Sequence, residues 1–211
     1  MSGYQFVMDT EAAAGAGATG ITTGVHKCKV LGVEHKTDAK GNPKGDIYLE
    51  EVGTGNRAII FGLMLAPKWH SGADNLEYKK WMEFAQVCGM QTGAIAAQPL
   101  QVSKEKNEQR NCFSECTGKI INVAIQEKLD VYNNEESKDK TLNRTFMESG
   151  QSIAEAAING EAKQIEYVRT NLKPYETKAY KTWKANGGQP SSETPAPEEN
   201  AAAAAAAADL V

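Results

Sequence analysis

A chain of 211 residues with 41% hydrophobic and 24% charged side chains can bury one core of ordinary size, which excludes global disorder and leaves no length for two large lobes around a catalytic cleft. Its net charge of −4 is uneven. Asn186 to Val211 holds Glu193, Glu198, Glu199 and Asp209 with no Lys or Arg, so the rest of the chain balances 23 basic against 23 acidic side chains, and local basic surface remains open to it.

No run reaches the roughly 18 apolar residues of a membrane helix, and Met1 to Asp9 lacks the basic and apolar regions of a signal peptide. Four sparse cysteines, Cys28, Cys88, Cys112 and Cys116, fit a reducing compartment. The expectation is a cytoplasmic protein with no membrane partner.

In chain order, Glu11 to Gly20 (EAAAGAGATG) has nothing to bury and reads as a linker. Thr22 to Val33 is rich in β-branched residues and predicts a long strand. Thr37 to Gly45 (TDAKGNPKG) collects turn residues, Ile47 to Val52 resumes a strand, Gly53 to Asn56 turns it, and Arg57 to Leu65 predicts a third. From Ala73 to Cys88 the period becomes helical, with Leu76, Trp81, Phe84, Val87 and Cys88 on one side, Ser71 or Asp74 as a cap and Gly89 as a stop.

The polar stretch that follows receives no element. Lys119 to Tyr132 and Leu142 to Met147 predict two further strands around a loop, Asn133 to Lys140. Ser152 and Glu155 have capping-box spacing ahead of one helix with Ile153, Ala157, Ile158, Ile165, Val168 and Leu172 on its stripe. Past Trp183 the composition turns to Gly, Pro, Ser, Glu and eight alanines, which predicts disorder.

Five strands with a helix after the third is the element order of an OB-fold. The predicted fold is therefore mainly β with α, a five-stranded OB-type barrel with a helix after strand 3 and a C-terminal helix. Its parts are an N-terminal arm or linker over 1–20, the barrel domain over 21–185 and a disordered acidic tail over 186–211.

Gly15, Gly17 and Gly20 satisfy G-x-G-x-x-G, but the third glycine precedes Ile-Thr-Thr-Gly-Val, a strand sequence, where a dinucleotide site needs a helix N-terminus. Cys112 and Cys116 offer two thiols for zinc, yet their spacing is not a sharp finger pattern, and Cys28 and Cys88 read more simply as small core residues. His26, His35 and His70 have no spacing that implies shared geometry, and no H-E-x-x-H, G-x-S-x-G or Walker A sequence occurs. The reading is non-enzymatic, with no catalytic residue, cofactor or metal.

The informative feature is cations interleaved with aromatics, the chemistry that holds single strands: lysines track phosphates and rings stack on bases, each stack contributing about 1–3 kcal/mol. Lys27, Lys29, Lys44, Tyr48, Arg57, Phe61, Lys68 and Trp69 lie on or beside the first three strands, and an OB barrel binds with strands two and three. Lys173 to Lys184 (KPYETKAYKTWK) adds a second set with Lys181 and Trp183. The bland alternative is that Phe61 is core, Tyr48 packs under a loop and the lysines are a solvated edge. The tip Asp209-Leu210-Val211 suits a pocket with a basic rim, and the acidic tail is expected to compete with DNA for basic surface.

Lys29 to Met90, with VLGVEHKTDAKGN, DIYLEEV, IIFGLML and a helix ending CGM, is similar to the single-stranded-DNA-binding proteins of bacteriophages, and the acidic tail is a second point of resemblance. The tip departs from that pattern, ending in Leu210-Val211 where many such tails end in an aromatic. The resemblance implies sequence-tolerant binding of single-stranded DNA in phage replication, recombination and repair, in the host cytoplasm, with the tail contacting replication proteins. The alternative from another class is a protein-interaction adaptor or recombination accessory whose barrel binds protein; a third is a zinc-dependent enzyme.

Overall fold

The computed structural model describes residues 20–68, 72–75, 77–103 and 105–188. Outside them lie the predicted arm except for Gly20, the residues Trp69, His70, Ser71, Leu76 and Lys104, and the tail from 189 onward with Asp209, Leu210 and Val211.

The chain is mainly β with helices. Its strands are β1 (Gly24–Thr37), β2 (Pro43–Glu51), β3 (Arg57–Met64), β4 (Ile95–Gln101), β5 (Asn107–Phe113), β6 (Ile120–Tyr132), β7 (Glu135–Phe146) and the short β8 (Tyr175–Glu176). Among the described residues four α-helices accompany them: α1 (Tyr78–Val87), α2 (Ile153–Ala157), α3 (Lys163–Asn171) and α4 (Lys178–Ala185).

β1 is the spine. One edge pairs with β2 from Cys28 to Thr37; the other pairs with β6 over Gly24–Lys29 and then with β5 at Glu34, opposite Cys112. β3 flanks β2 and β7 flanks β6, all antiparallel, while β8 joins β6 in parallel. The predicted barrel is corrected here: this is an open eight-stranded sheet, because β3 and β7 lie side by side without a ladder between them. The seam has a local cause. Glu83 of α1 receives the Thr145 backbone N–H of β7 at 2.9 Å and Arg144 Nε at 2.9 Å, so a side chain occupies a donor that a closing strand would have used.

Alternation sorts the side chains. Cys28, Val30, Val33, Ile47, Leu49, Ile60, Ile121, Val123, Ile125 and Leu142 face inward and are closed over by Trp81 and Phe84 of α1. The helix begins at Tyr78 with no side-chain cap, later than predicted, because Asn75 Oδ1 accepts from the Glu77 N–H instead of capping it. Gly89, at φ +70°, lets Met90 N–H reach back to the Ala85 carbonyl and ends it.

Three predicted features are revised. The polar stretch after α1 is a hairpin, β4–β5, whose strands bury only Leu100, Cys112 and Phe113 and so show no apolar alternation. The loop predicted over Asn133 to Lys140 is only a two-residue turn: Asn133 and Asn134, at φ 51° and 65°, make the left-handed pair that a tight hairpin needs, and β7 starts at Glu135. The single C-terminal helix is broken into α2 and α3 and followed by α4. Ser152 and Glu155 do form a reciprocal capping box, but Asn159 turns left-handed at φ 50° and leaves Ile158 78% exposed. Glu155 then accepts the Lys163 and Gln164 N–H groups, so one carboxylate ties the starts of two helices. No helix among the described residues is long and apolar enough to cross a membrane.

Candidate nucleic-acid interface

The residues predicted to bind DNA on β1–β3 belong to the outer face of the sheet. Register places Lys29 beside Glu50 and Glu50 beside Arg57; the next row is Gly32, Tyr48 and Ile59, and further along Glu34 opposes Asp46 and Lys36 opposes Lys44. Alternation puts Lys27 with Lys29 and Phe61 with Ile59 on this side.

The β4–β5 hairpin lies across the middle of this face. Leu100 and Cys112 pack on Tyr48 with Leu31, Ile59 and Val102 around them. Arg57 of β3 holds the hairpin from beneath: Nη2 donates to Gln101 Oε1 at 2.7 Å and Nη1 to the Ser103 carbonyl at 3.0 Å, while Nε and Nη2 grip Glu50. At the other side Arg110 of β5 reaches Glu34 at 3.0 Å and also pairs with Glu108.

Two carboxylates are thereby buried on the face, Glu34 and Asp46. Glu34 accepts from the Tyr48 hydroxyl at 3.2 Å and from Lys36 at 3.2 Å; Asp46 accepts from Lys36 at 2.5 Å and from the Gly62 N–H at 2.7 Å. Burial works most strongly against the charge on Lys36, but the hydrogen bonds to Asp46 and Glu34 and their negative charges together outweigh it and raise the ammonium above its ordinary value. Burial, reinforced by the Glu34 charge, pushes the Tyr48 phenol up to about 12.

Apart from Trp69 and the tail residues, each predicted residue has a definite place. Tyr48 is 6% exposed, so its ring has no open side for a base while the hairpin stays down. Arg57 is engaged by Glu50, Gln101 and Ser103. Lys44 stands 3.5 Å from Asp38, and Lys27 pairs in solvent with Glu148 at 2.9 Å. Lys29 is exposed and has no acidic partner among the described residues. Phe61 is 62% exposed. Lys68 is exposed at an isolated bridge to Asp74, and Trp69 lies outside the described residues.

Lys181 and Trp183 sit apart from this face, on α4. Lys181 is exposed; Trp183 is half-buried against Tyr180, ring centroids 5.8 Å apart, with its indole N–H enclosed and unpartnered among the described residues. Sequence reading missed Gln101 and Arg110, since both lie in a stretch with no apolar period and reach the β1–β3 face through Arg57 and Glu34, partners far along the chain.

The cysteines split between the two sides of the sheet: Cys112 joins the outer cluster, whereas Cys28, Cys88 and Cys116 are in the inner core. Burial pushes the Cys28 and Cys116 thiols up to about 12 and Cys88 higher, the direction expected of small thiols packed in an apolar core. Among the described residues no three His, Cys, Asp or Glu gather as a metal set. Comparison with known proteins returns no matching family model and no matching curated protein.

Proposed function

We propose that this chain is a non-enzymatic single-stranded-DNA-binding protein of the kind bacteriophages use in replication, recombination and repair. The observation that carries the reading is Phe61: a large ring left 62% exposed on a sheet face that also carries Lys27, Lys29, Lys36 and Lys44. Exposed aromatic surface beside cations is what stacked bases and their phosphates require. The strand order supports it as well. A β1–β2–β3 meander, a helix, and a β6–β7 pair whose outer strand lies beside β3 follow the OB pattern, with the β4–β5 hairpin as an insertion and the barrel seam left open.

On this reading a strand runs along the margins of the hairpin rather than under it. Lys27 gives up its solvent-exposed pair with Glu148, which contributes at most about 1 kcal/mol, and Lys29 is already available. The tail, with Asp209, Leu210 and Val211, recruits replication proteins.

One observation favours the second reading, a protein-binding adaptor: the hairpin covers the centre of the face and carboxylates neutralise Arg57, Lys36 and Arg110. Titration of the protein with oligo-dT, duplex DNA and single-stranded RNA at several salt concentrations separates the two. Tight, salt-sensitive binding of oligo-dT with weak duplex binding is expected; absence of binding to every strand selects the adaptor.

A further inference from the structure

α3 packs Ile165 and Val168 onto Val25, Ala124 and Phe146 on the outer side of β1, β6 and β7. The chain leaves the helix at Leu172, runs extended through Lys173 and Pro174, and returns as β8 on the edge of β6, with Tyr175 beside Lys128. Between helix and returning strand is a groove of about 660 Å³, within the roughly 300–1,000 Å³ typical of small-ligand sites. Its floor includes Leu129, Val168 and Leu172.

Its polar fittings are fixed by hydrogen bonds. Gln126 Nε2 donates to the Lys173 carbonyl at 2.7 Å, holding the extended segment against β6; Asn171 Nδ2 donates to the Tyr167 carbonyl at 2.8 Å. Tyr167 and Tyr175, both in the lining, are 70% and 54% exposed. Lys173 and Lys181 line it too, and neither has an acidic partner among the described residues, whereas the lining carboxylate, Glu176, is tied to Lys184 at 3.0 Å.

Two open phenol rings and two uncommitted ammonium groups around an apolar floor match one ligand chemistry: an unpaired base with its flanking phosphates. We infer that this groove, formed by α3, β8 and the β6–β7 pair, is a second binding site for single-stranded nucleic acid, separate from the β1–β3 face. Tyr167 and Tyr175 stack on bases, and Lys173 and Lys181 neutralise phosphates. A site here lengthens the bound segment beyond the sheet face. The inference rests on the nucleic-acid reading above, and its test is chosen to fail separately from it.

The full chain is titrated with fluorescent oligo-dT long enough to span both regions, comparing wild type, Phe61→Ala, the pair Tyr167→Ala with Tyr175→Ala, and the pair Lys173→Glu with Lys181→Glu. All four groove residues are on the surface, and circular dichroism checks that the variants stay folded. Losing one stack, as in Phe61→Ala, weakens binding roughly 5- to 150-fold and losing both groove tyrosines weakens it at least as much, while losing two phosphate contacts flattens the slope of log affinity against log salt by at least about 1.4. Photocrosslinking with iododeoxyuridine oligonucleotide is expected to mark Tyr167 or Tyr175. Wild-type affinity and salt slope in both groove variants, with Phe61→Ala weakened, overturns the groove and leaves the sheet face standing. No binding by wild type overturns both.

Discussion

Leu100 of β4 rests on Gly32 of β1 so closely that a β-carbon on Gly32 would stand 2.7 Å from the Leu100 Cδ1 methyl. Gly32 is glycine because the hairpin comes down on it, and the covered state of the outer face depends on this contact. Leu100→Ala is expected to lower stability by about 2–5 kcal/mol in urea unfolding. Gly32→Ala is expected to destabilise wild type more than it destabilises the Leu100→Ala background, since the methyl it meets is gone there. Strict additivity of the two substitutions would show that the contact does not hold the hairpin.

Phe61 and Tyr48 make opposite predictions although both are aromatic residues of the same face. Phe61→Ala removes an exposed ring and is expected to weaken oligo-dT binding roughly 5- to 150-fold with little change in stability. Tyr48→Phe removes the donor to buried Glu34 and is expected to destabilise by about 1–3 kcal/mol while leaving DNA affinity unchanged. Unchanged oligo-dT affinity in Phe61→Ala would remove Phe61 from the interface, and unchanged stability in Tyr48→Phe would show that the Glu34 contact does not stabilise the face.

The β3–β7 seam depends on Glu83. Glu83→Ala leaves the Thr145 N–H and the Arg144 guanidinium without this carboxylate and is expected to lower stability by about 1.5–3 kcal/mol. The Thr145 amide should then exchange faster with solvent deuterium than its neighbours do. Thr145→Val should have the opposite sign or none, because the Thr145 hydroxyl is buried with no partner among the described residues. Unchanged exchange at Thr145 in Glu83→Ala would remove the account of the open seam.

Acid should loosen two turns. The Asn42 side chain and backbone N–H, with help from Lys40 N–H, hold Asp38 at about 2; the Gln91 N–H, then Thr92 and Ala94, hold Glu115 at about 2. Both folded values lie below the ordinary 3.8 and 4.5, so their contribution is complete above the ordinary values and is lost as pH falls from there towards 2. Urea midpoints followed through this window should decline in wild type and decline less in Asp38→Asn with Glu115→Gln. Parallel pH profiles for the two proteins would contradict this.

Much of the fold was legible because its signals are local. β-branched residues in Thr22 to Val33, the turn residues of Thr37 to Gly45, and the Ser152–Glu155 spacing each specify their structure within a few residues. The β4–β5 hairpin was not legible, since its exposed polar strands have no period to read. Asn133-Asn134 was read as the start of a loop because a left-handed turn and a long loop use the same residues, and only the paired strand beyond it tells them apart.

Of the site, the sequence by itself determined the inventory: which strands carry lysines, which carry rings, and that Lys27 and Lys29 share a face, since alternation along a strand is a property of the backbone. Tertiary structure alone decided which of them are accessible. Arg57 is committed to Gln101 and Ser103, more than forty residues away; Tyr48 is covered by Leu100; Phe61 is left open; and Tyr167 meets Tyr175 in one groove because β8 returns to the edge of β6. Contacts of that range depend on how sheets fold back on themselves, and no local pattern of side chains encodes them.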